Sequence, residues 1–149
     1  MLVRRFKIQD ASEISSLIRR SILNRNNIDY TVSQINSIAK YYSPENIMND
    51  FDRKFIVVCL DKNKIVGTGT LFGDELMTLF IDPDYQKKGI GKKLMDILEE
   101  EAKKKGILRV WVVSTLTAVN FYRKLNYSFV KEKIHPEWGM GIVVEKYLR

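Results

Sequence analysis

The chain has 149 residues, of which 45% are hydrophobic, 11% aromatic and 29% charged; this suits one globular domain over residues 1–149 and excludes intrinsic disorder. A lone cysteine, Cys59, excludes an internal disulfide framework and a cysteine-rich zinc module, and a lone histidine, His135, argues against a histidine-based metal centre, so no metal is expected. Twenty-five Lys and Arg against 18 Asp and Glu give a formal charge of +7 and a pI near 9.5, a field that attracts nucleic acid, acidic membrane or a phosphorylated cofactor.

Val3 to Ile8 alternates loosely and reads as a first strand. Asp10 caps a helix in a capping box with Glu13, and Ile14, Leu17, Ile18 and Ile22 form its apolar stripe. Asn24 to Asp29 is a polar break. Thr31 and Gln34 make a second cap, before Ile35, Ile38 and Ala39 on one helical face. Ser43-Pro44 suits the N-cap and first position of a short helix running to about Phe51.

Phe55–Leu60, Ile65–Phe72 and Glu75–Ile81 are strands joined by the turns Asp61–Lys64 and Gly73-Asp74, which together make an antiparallel meander. Asp82-Pro83 stops the last of them. From Ile90 the period becomes helical, with Ile90, Leu94, Ile97, Leu98 and Ala102 on one face. Glu99, Glu100 and Glu101 stand four residues before Lys103, Lys104 and Lys105, which predicts three outward ion pairs, and Gly106 ends the helix. Leu108 to Val113 is apolar enough for a strand buried on both faces. A short helix over Ala118–Leu125 and strands over Tyr127–Ile134 and Ile142–Leu148 complete the pattern. No apolar run reaches membrane-spanning length and the first residues show no signal-peptide core, so a soluble, cytoplasmic protein is expected.

The segment that carries chemistry is Gln86-Lys87-Lys88-Gly89-Ile90-Gly91-Lys92-Lys93, between a strand and an amphipathic helix. At such a junction the first backbone N–H groups lack helical partners and face outward with the positive end of the dipole. Gly89 and Gly91 remove side chains that would block an anion, and four lysines focus charge on the spot. Binding of a phosphate or pyrophosphate follows. The dinucleotide fingerprint lacks its third glycine and its parallel unit, and a Walker A loop would need Ser or Thr after Gly-Lys.

Gln86-Lys-Lys-Gly-Ile-Gly91 resembles the Q/R-x-x-G-x-G/A signature of the GNAT superfamily of acyl-CoA-dependent N-acyltransferases. Ala118-Val-Asn-Phe121-Tyr122-Arg-Lys-Leu125-Asn-Tyr127 is similar to that family's A-x-x-F-Y-x-K-L-G-F segment, with Asn126 in place of the glycine, a residue that also visits left-handed backbone. The resemblance implies a mixed α+β, single-domain fold: a mostly antiparallel sheet of six to seven strands flanked by four to five helices. It implies transfer of an acetyl group from acetyl-CoA to a primary amine, and dimers are common in such folds. By the same resemblance Leu79, Phe80 and Ile81 offer main-chain groups to the pantetheine arm, and the N–H groups of Lys87, Lys88, Gly89, Ile90, Gly91 and Lys92, after Gln86, meet the pyrophosphate. Thr115, where many members carry asparagine, is the residue for the pantetheine amides.

An alkylammonium is almost wholly protonated at neutral pH and needs a base before it attacks; the thiolate that leaves needs an acid. The resemblance assigns the acid to Tyr122 and the base to Glu75, with a water relay as the alternative base. Cys59 lies in an apolar strand without a partnering motif, so direct transfer in a ternary complex is expected rather than an acyl-cysteine. His135 beside Pro136 reads as a turn residue, the alternative being that it lines the acceptor pocket with Trp138. The acceptor stays open between small amine, antibiotic, amino acid and protein lysine, shaped by about Ile22–Phe51 and His135–Gly141, where Tyr30, Tyr41, Tyr42, Asp50 and Trp138 offer an aromatic-lined pocket. A catalytically silent acyl-CoA-binding module is the alternative function. A nucleic-acid-binding protein is disfavoured because no such motif is present and the lysines gather at the loop and on the paired helical face.

Overall fold

The computed structural model describes residues 1–23 and 30–149. Its elements are β1 (Leu2–Arg5), α1 (Ala11–Leu23), α2 (Val32–Tyr41), α3 (Pro44–Asn49), β2 (Phe55–Asp61), β3 (Lys64–Phe72), β4 (Glu75–Ile81), α4 (Ile90–Lys104), β5 (Arg109–Ser114), α5 (Val119–Lys124), β6 (Ser128–His135) and β7 (Gly139–Tyr147). Among the described residues the strands form one seven-stranded sheet in the order β1-β2-β3-β4-β5-β7-β6. Every pairing is antiparallel except that of β4 with β5. This is the expected mixed α+β fold. The polar break at 24–29 lies outside the described residues.

The period-two alternation of β2 divides the core. Val57 and Cys59 point to the face covered by α4 and α5, whereas Ile56, Val58 and Leu60 point to the face covered by α1, α2 and α3. The stripe Ile14, Leu17, Ile18 and Ile22 is fully buried on the second face, and Leu94 and Leu98 on the first. Burial of each such side chain contributes about 1.5–3 kcal/mol. Local caps follow the sequence: Thr31 Oγ1 accepts the Gln34 N–H while the Gln34 side chain accepts the Thr31 N–H, and Ser43 Oγ accepts from Asn46 ahead of Pro44.

Three expectations are corrected. Asp10 does not box with Glu13; it closes a short 3-10 turn, accepting the Lys7 N–H at 2.8 Å and pairing with Arg4, while Glu13 reaches across to the Ile65 N–H at 2.7 Å. Of the three expected outward Glu–Lys pairs only Glu101–Lys105 is found among the described residues, and Glu100 pairs instead with Lys103, three residues on. Glu99 is buried, accepting from Tyr127 Oη at 2.7 Å and Lys146 Nζ at 2.9 Å; the helix turns it inward, where these distant groups satisfy a carboxylate that would otherwise be costly to bury. Nor is β5 buried on both faces. Val110, Val112 and Ser114 are buried and Val113 is exposed, because helices cover one side of this strand and the other opens onto a cleft.

Candidate functional site

The parallel junction is short. Glu75 opposite Trp111 is the pair in register between β4 and β5, supported by the Trp111 N–H on the Asp74 carbonyl at 3.2 Å and the indole N–H on the Asp74 carboxylate at 2.9 Å. Beyond it the strands part. On β4, Met77 pairs with Thr70 and Phe80 with Thr68, so Gly69 alone faces both Thr78 and Leu79. This is a β-bulge, and Thr78 sits at φ 56°, a left-handed conformation unusual for a β-branched residue. Gly69 is needed opposite it: a Cβ there would come within 3.0 Å of Leu98 Cδ1 and 3.3 Å of Leu79 Cδ1. The bend opens a cleft of about 260 Å³ between β4 and β5.

Both expected acid–base residues face this cleft. Glu75 lines it half-buried, with no ion pair among the described residues. Burial pushes its carboxyl above the usual range, as does Asp74, while Lys133 and Lys54 pull the other way. Tyr122, on α5, is buried and lines the same cleft, its ring against Phe121 (5.0 Å between centroids) and Tyr127 (5.8 Å). Thr115 lines the cleft next to Tyr122's helix, its hydroxyl 3.4 Å from that of Thr117. Leu79 and Phe80 line it as well. Ile81 does not; its carbonyl already accepts from Ser21 Oγ and Gln86 Nε2, each at 3.1 Å.

The loop from Gln86 to Gly91 stands apart from the cleft lining but is joined to it. Lys87 (φ 61°) and Gly89 (φ 80°) take left-handed conformations, and the first helical bond of α4 runs from the Lys93 N–H to the Gly89 carbonyl. The N–H groups of Ile90, Gly91 and Lys92 therefore precede any intrahelical partner, a ready anion cradle. The two glycines act differently. Space around a Gly89 Cβ is empty, whereas a Gly91 Cβ would meet Phe121 Cζ at 3.0 Å. Gly91 thus also serves close packing of α4 on α5. Nor do all four lysines face the loop: Lys92 Nζ bonds Asp96 at 2.8 Å and Lys93 Nζ the Met1 carbonyl at 2.9 Å.

At the other end the cleft is aromatic. Trp138 lies 4.9 Å from Tyr41, 6.4 Å from Tyr42 and 4.3 Å from His135 between ring centroids, and Tyr42 lies 5.7 Å from Phe80. His135, expected as a turn residue, instead ends β6 and lines the cleft beside Trp138, its Nδ1 accepting the N–H groups of Glu137 and Trp138 in the turn that follows. Tyr42 Oη is 3.2 Å from Thr78 Oγ1, and burial pushes its phenol far up, so it stays neutral. Asp50 lies away from this cleft, paired with Arg53 and Lys54. Sequence reasoning missed Thr78, whose signal is the broken alternation of Met77-Thr78-Leu79-Phe80, and Lys133, which lines the cleft from β6 and has no local signal at all.

The acetyltransferase (GNAT) domain family matches residues 26–142. The chain belongs to this GNAT family. Over 128 residues the GNAT chain is 28% identical to the peptidyl-lysine N-acetyltransferase YjaB of Salmonella typhimurium, covering 85% of this chain and 82% of that one. It is 32% identical to the [ribosomal protein bS18]-alanine N-acetyltransferase of Escherichia coli K12 over 56 residues, 36% of this chain and 38% of the relative, so the likeness spans little more than a third of that protein's length. The PaiA N-acetyltransferase of Thermoplasma acidophilum, solved in complex with coenzyme A, shares the fold with a TM-score of 0.81 at 24% identity, over 99% of this chain and 98% of that one. Among the described residues of this GNAT domain no helix is long and apolar enough to cross a membrane, and no group of three His, Cys, Asp or Glu is placed to hold a metal.

Proposed function

We propose that residues 1–149 act as one cytoplasmic N-acetyltransferase domain that moves the acetyl group of acetyl-CoA directly to a primary amine in a ternary complex. One observation carries the reading: a single cleft, opened by the parting of β4 and β5, is lined by both Glu75 and Tyr122. The anion cradle at the start of α4 is tied to the Tyr122 helix by the Gly91–Phe121 contact. A cofactor with a diphosphate at one end and a reactive thioester at the other suits that arrangement.

In this scheme the N–H groups of Ile90, Gly91 and Lys92 hold the pyrophosphate, and the parted edge of β4 at Leu79 and Phe80 offers unpaired main-chain groups to the pantetheine amides, as an added strand would. Thr115 adds a hydroxyl to the same arm. Glu75, made more basic by burial, takes a proton from the ammonium. The freed nitrogen attacks the thioester carbonyl, a C–N bond forms, and main-chain N–H groups at the β4 bulge stabilise the oxyanion. The C–S bond then breaks, Tyr122 protonates the departing thiolate, and the second proton of the former ammonium, still on the acylated nitrogen, returns to the Tyr122 phenolate. Cys59 is buried away from the cleft, its thiol pushed up by burial, which disfavours an acyl-cysteine route.

Titration calorimetry with coenzyme A, then CoA release from acetyl-CoA over an amine panel, tests the proposal. Tyr122→Phe is expected to lower kcat at least about tenfold with coenzyme A affinity unchanged. Binding without release from any amine would favour the silent acyl-CoA-binding module. An active wild type whose rate survives Tyr122→Phe would remove Tyr122 from the acid's role.

A further inference from the structure

Two opposite charges stand unpaired in one cavity. Glu75 from β4 and Lys133 from β6 both line the cleft, and neither forms an ion pair among the described residues. They are too far apart to pair with each other, yet Lys133 is the foremost of the cations that act on the Glu75 carboxyl. Between and around them the wall is aromatic, with Tyr42, Phe80 and Trp138, and the Trp138 indole N–H is buried there without a partner. An unsatisfied donor and an unpaired cation in the same cleft suit an oxygen-bearing anion.

The charge count restricts what fits. Among the described residues Glu75 is the one carboxylate lining the cleft. A polycation would leave its further ammonium groups without counter-charge and set one of them against Lys133. A bare monoamine would leave Lys133 idle. A ligand that carries one ammonium and one carboxylate supplies a counter-charge to each of the two. The cleft volume of about 260 Å³, part of it taken by the acetylated thiol end of the cofactor, limits that ligand to a small molecule.

We propose that the acceptor is a zwitterionic α-amino acid with an apolar or aromatic side chain, its ammonium at Glu75, its carboxylate at Lys133 and its side chain against Tyr42 and Trp138. This rests on the N-acetyltransferase reading above. The ammonium gives one proton to Glu75, the α-nitrogen gains the acetyl group as the thioester C–S bond breaks, the thiolate takes its proton from Tyr122, and the acylated nitrogen gives its second proton back to the Tyr122 phenolate. The product is an N-acetyl amino acid that keeps its carboxylate on Lys133 and has lost its charge at Glu75, so one of its two ionic anchors is gone when transfer is complete.

The test measures CoA release from acetyl-CoA with phenylalanine, tyrosine, leucine and methionine, each as free acid, as amide and as decarboxylated amine, beside spermidine and a lysine-bearing peptide. In the wild type the best free acid is expected to exceed its own amide and amine at least about tenfold in kcat/KM, the value of one charge-assisted contact. Lys133→Ala should shrink that advantage to about twofold or less, and Lys133→Glu should invert it, with coenzyme A affinity by calorimetry the same in all three proteins. The proposal is overturned if amide or amine serves as well as acid, if spermidine or the peptide is preferred, or if the advantage persists in Lys133→Ala. Calorimetric binding of coenzyme A without release from any acceptor overturns it together with the enzyme reading. Absence of both binding and release overturns the cofactor as well.

Discussion

Gly91→Ala is expected to destabilise the protein through one contact, and the sign of the effect should depend on residue 121. An added Cβ would lie 3.0 Å from Phe121 Cζ and 3.1 Å from Cε1. Carbon atoms settle at about 3.5–4.0 Å, so the ring must retreat by roughly 0.5 Å or more, and it backs onto Tyr122 at 5.0 Å between centroids. Such overpacking costs about 1–3 kcal/mol. Against it stands the gain of alanine over glycine in a helix, about 1 kcal/mol in an interior and less in the first turn. The net is a loss of about 1 kcal/mol, or a Tm lowered by about 2–4 °C for a chain of this size. In a Phe121→Leu background the obstruction is gone and the same substitution should stabilise by a few tenths of a kcal/mol. Urea unfolding of the four proteins of this double-mutant cycle, at constant m, reads the coupling. The same sign in both backgrounds would refute the packing role and return Gly91 to anion access alone.

Glu75→Gln should raise Tm at pH 7.5 while lowering activity. The folded-state pKa of Glu75 is raised, so the folded state binds the proton more tightly and loses stability as pH rises from the unfolded value, about 4.3, through the folded one. The Tm difference should therefore vanish below about pH 4 in a melting series. Asp82→Asn should act oppositely. Burial opposes the Asp82 charge, but the Asp84 N–H, Arg20 and Lys64 overcome it and hold the carboxyl below its usual range. Loss of these contacts is expected to cost about 1–3 kcal/mol at neutral pH, a difference that fades as pH falls from the unfolded value through the depressed folded one. At Asn126, where φ is 72°, Gly should raise stability and Ala lower it, each by up to about 1 kcal/mol; chemical unfolding decides.

What was legible in the sequence was local. The caps at Thr31 and Ser43 and the left-handed residues Gly106 and Asn126 depend on neighbours within a turn or so, and each was placed correctly. At the end of α5 the Tyr127 N–H reaches the Tyr122 carbonyl and the Asn126 N–H that of Arg123, the closing bonds that a left-handed residue permits. The loop and the Phe121-Tyr122 pair were visible for the same reason, as contiguous motifs. Glu99 was misplaced because helical spacing says which residues are neighbours on a helix but not which distant side chains wait opposite. Tyr127 and Lys146, which make its burial tolerable, lie 28 and 47 residues away. Lys133 is silent in the same way: it becomes part of the site through the pairing of β6 with β7 and of β7 with β5.

The cleft itself follows from a conflict between two ladders. The β5–β7 ladder runs unbroken from Arg109 opposite Tyr147 to Ser114 opposite Ile142, so β5 keeps the course that β7 sets. On the other side β4 is held by β3, and the bulge at Thr78 and Leu79 turns its second half away. The two courses agree at Glu75 and Trp111 and diverge after them. The local pattern of β5 does not encode that divergence, and β4 marks it only by the broken alternation of Met77-Thr78-Leu79-Phe80. It arises where a partner from the chain's last segment meets an extra residue in its middle. The residues proposed for the chemistry sit on this boundary: Glu75 at the point of agreement, and Leu79 and Phe80 on the edge that the divergence leaves unpaired. A substitution that removed the bulge would let β4 and β5 zip together, so it should cost the cleft before it costs the fold.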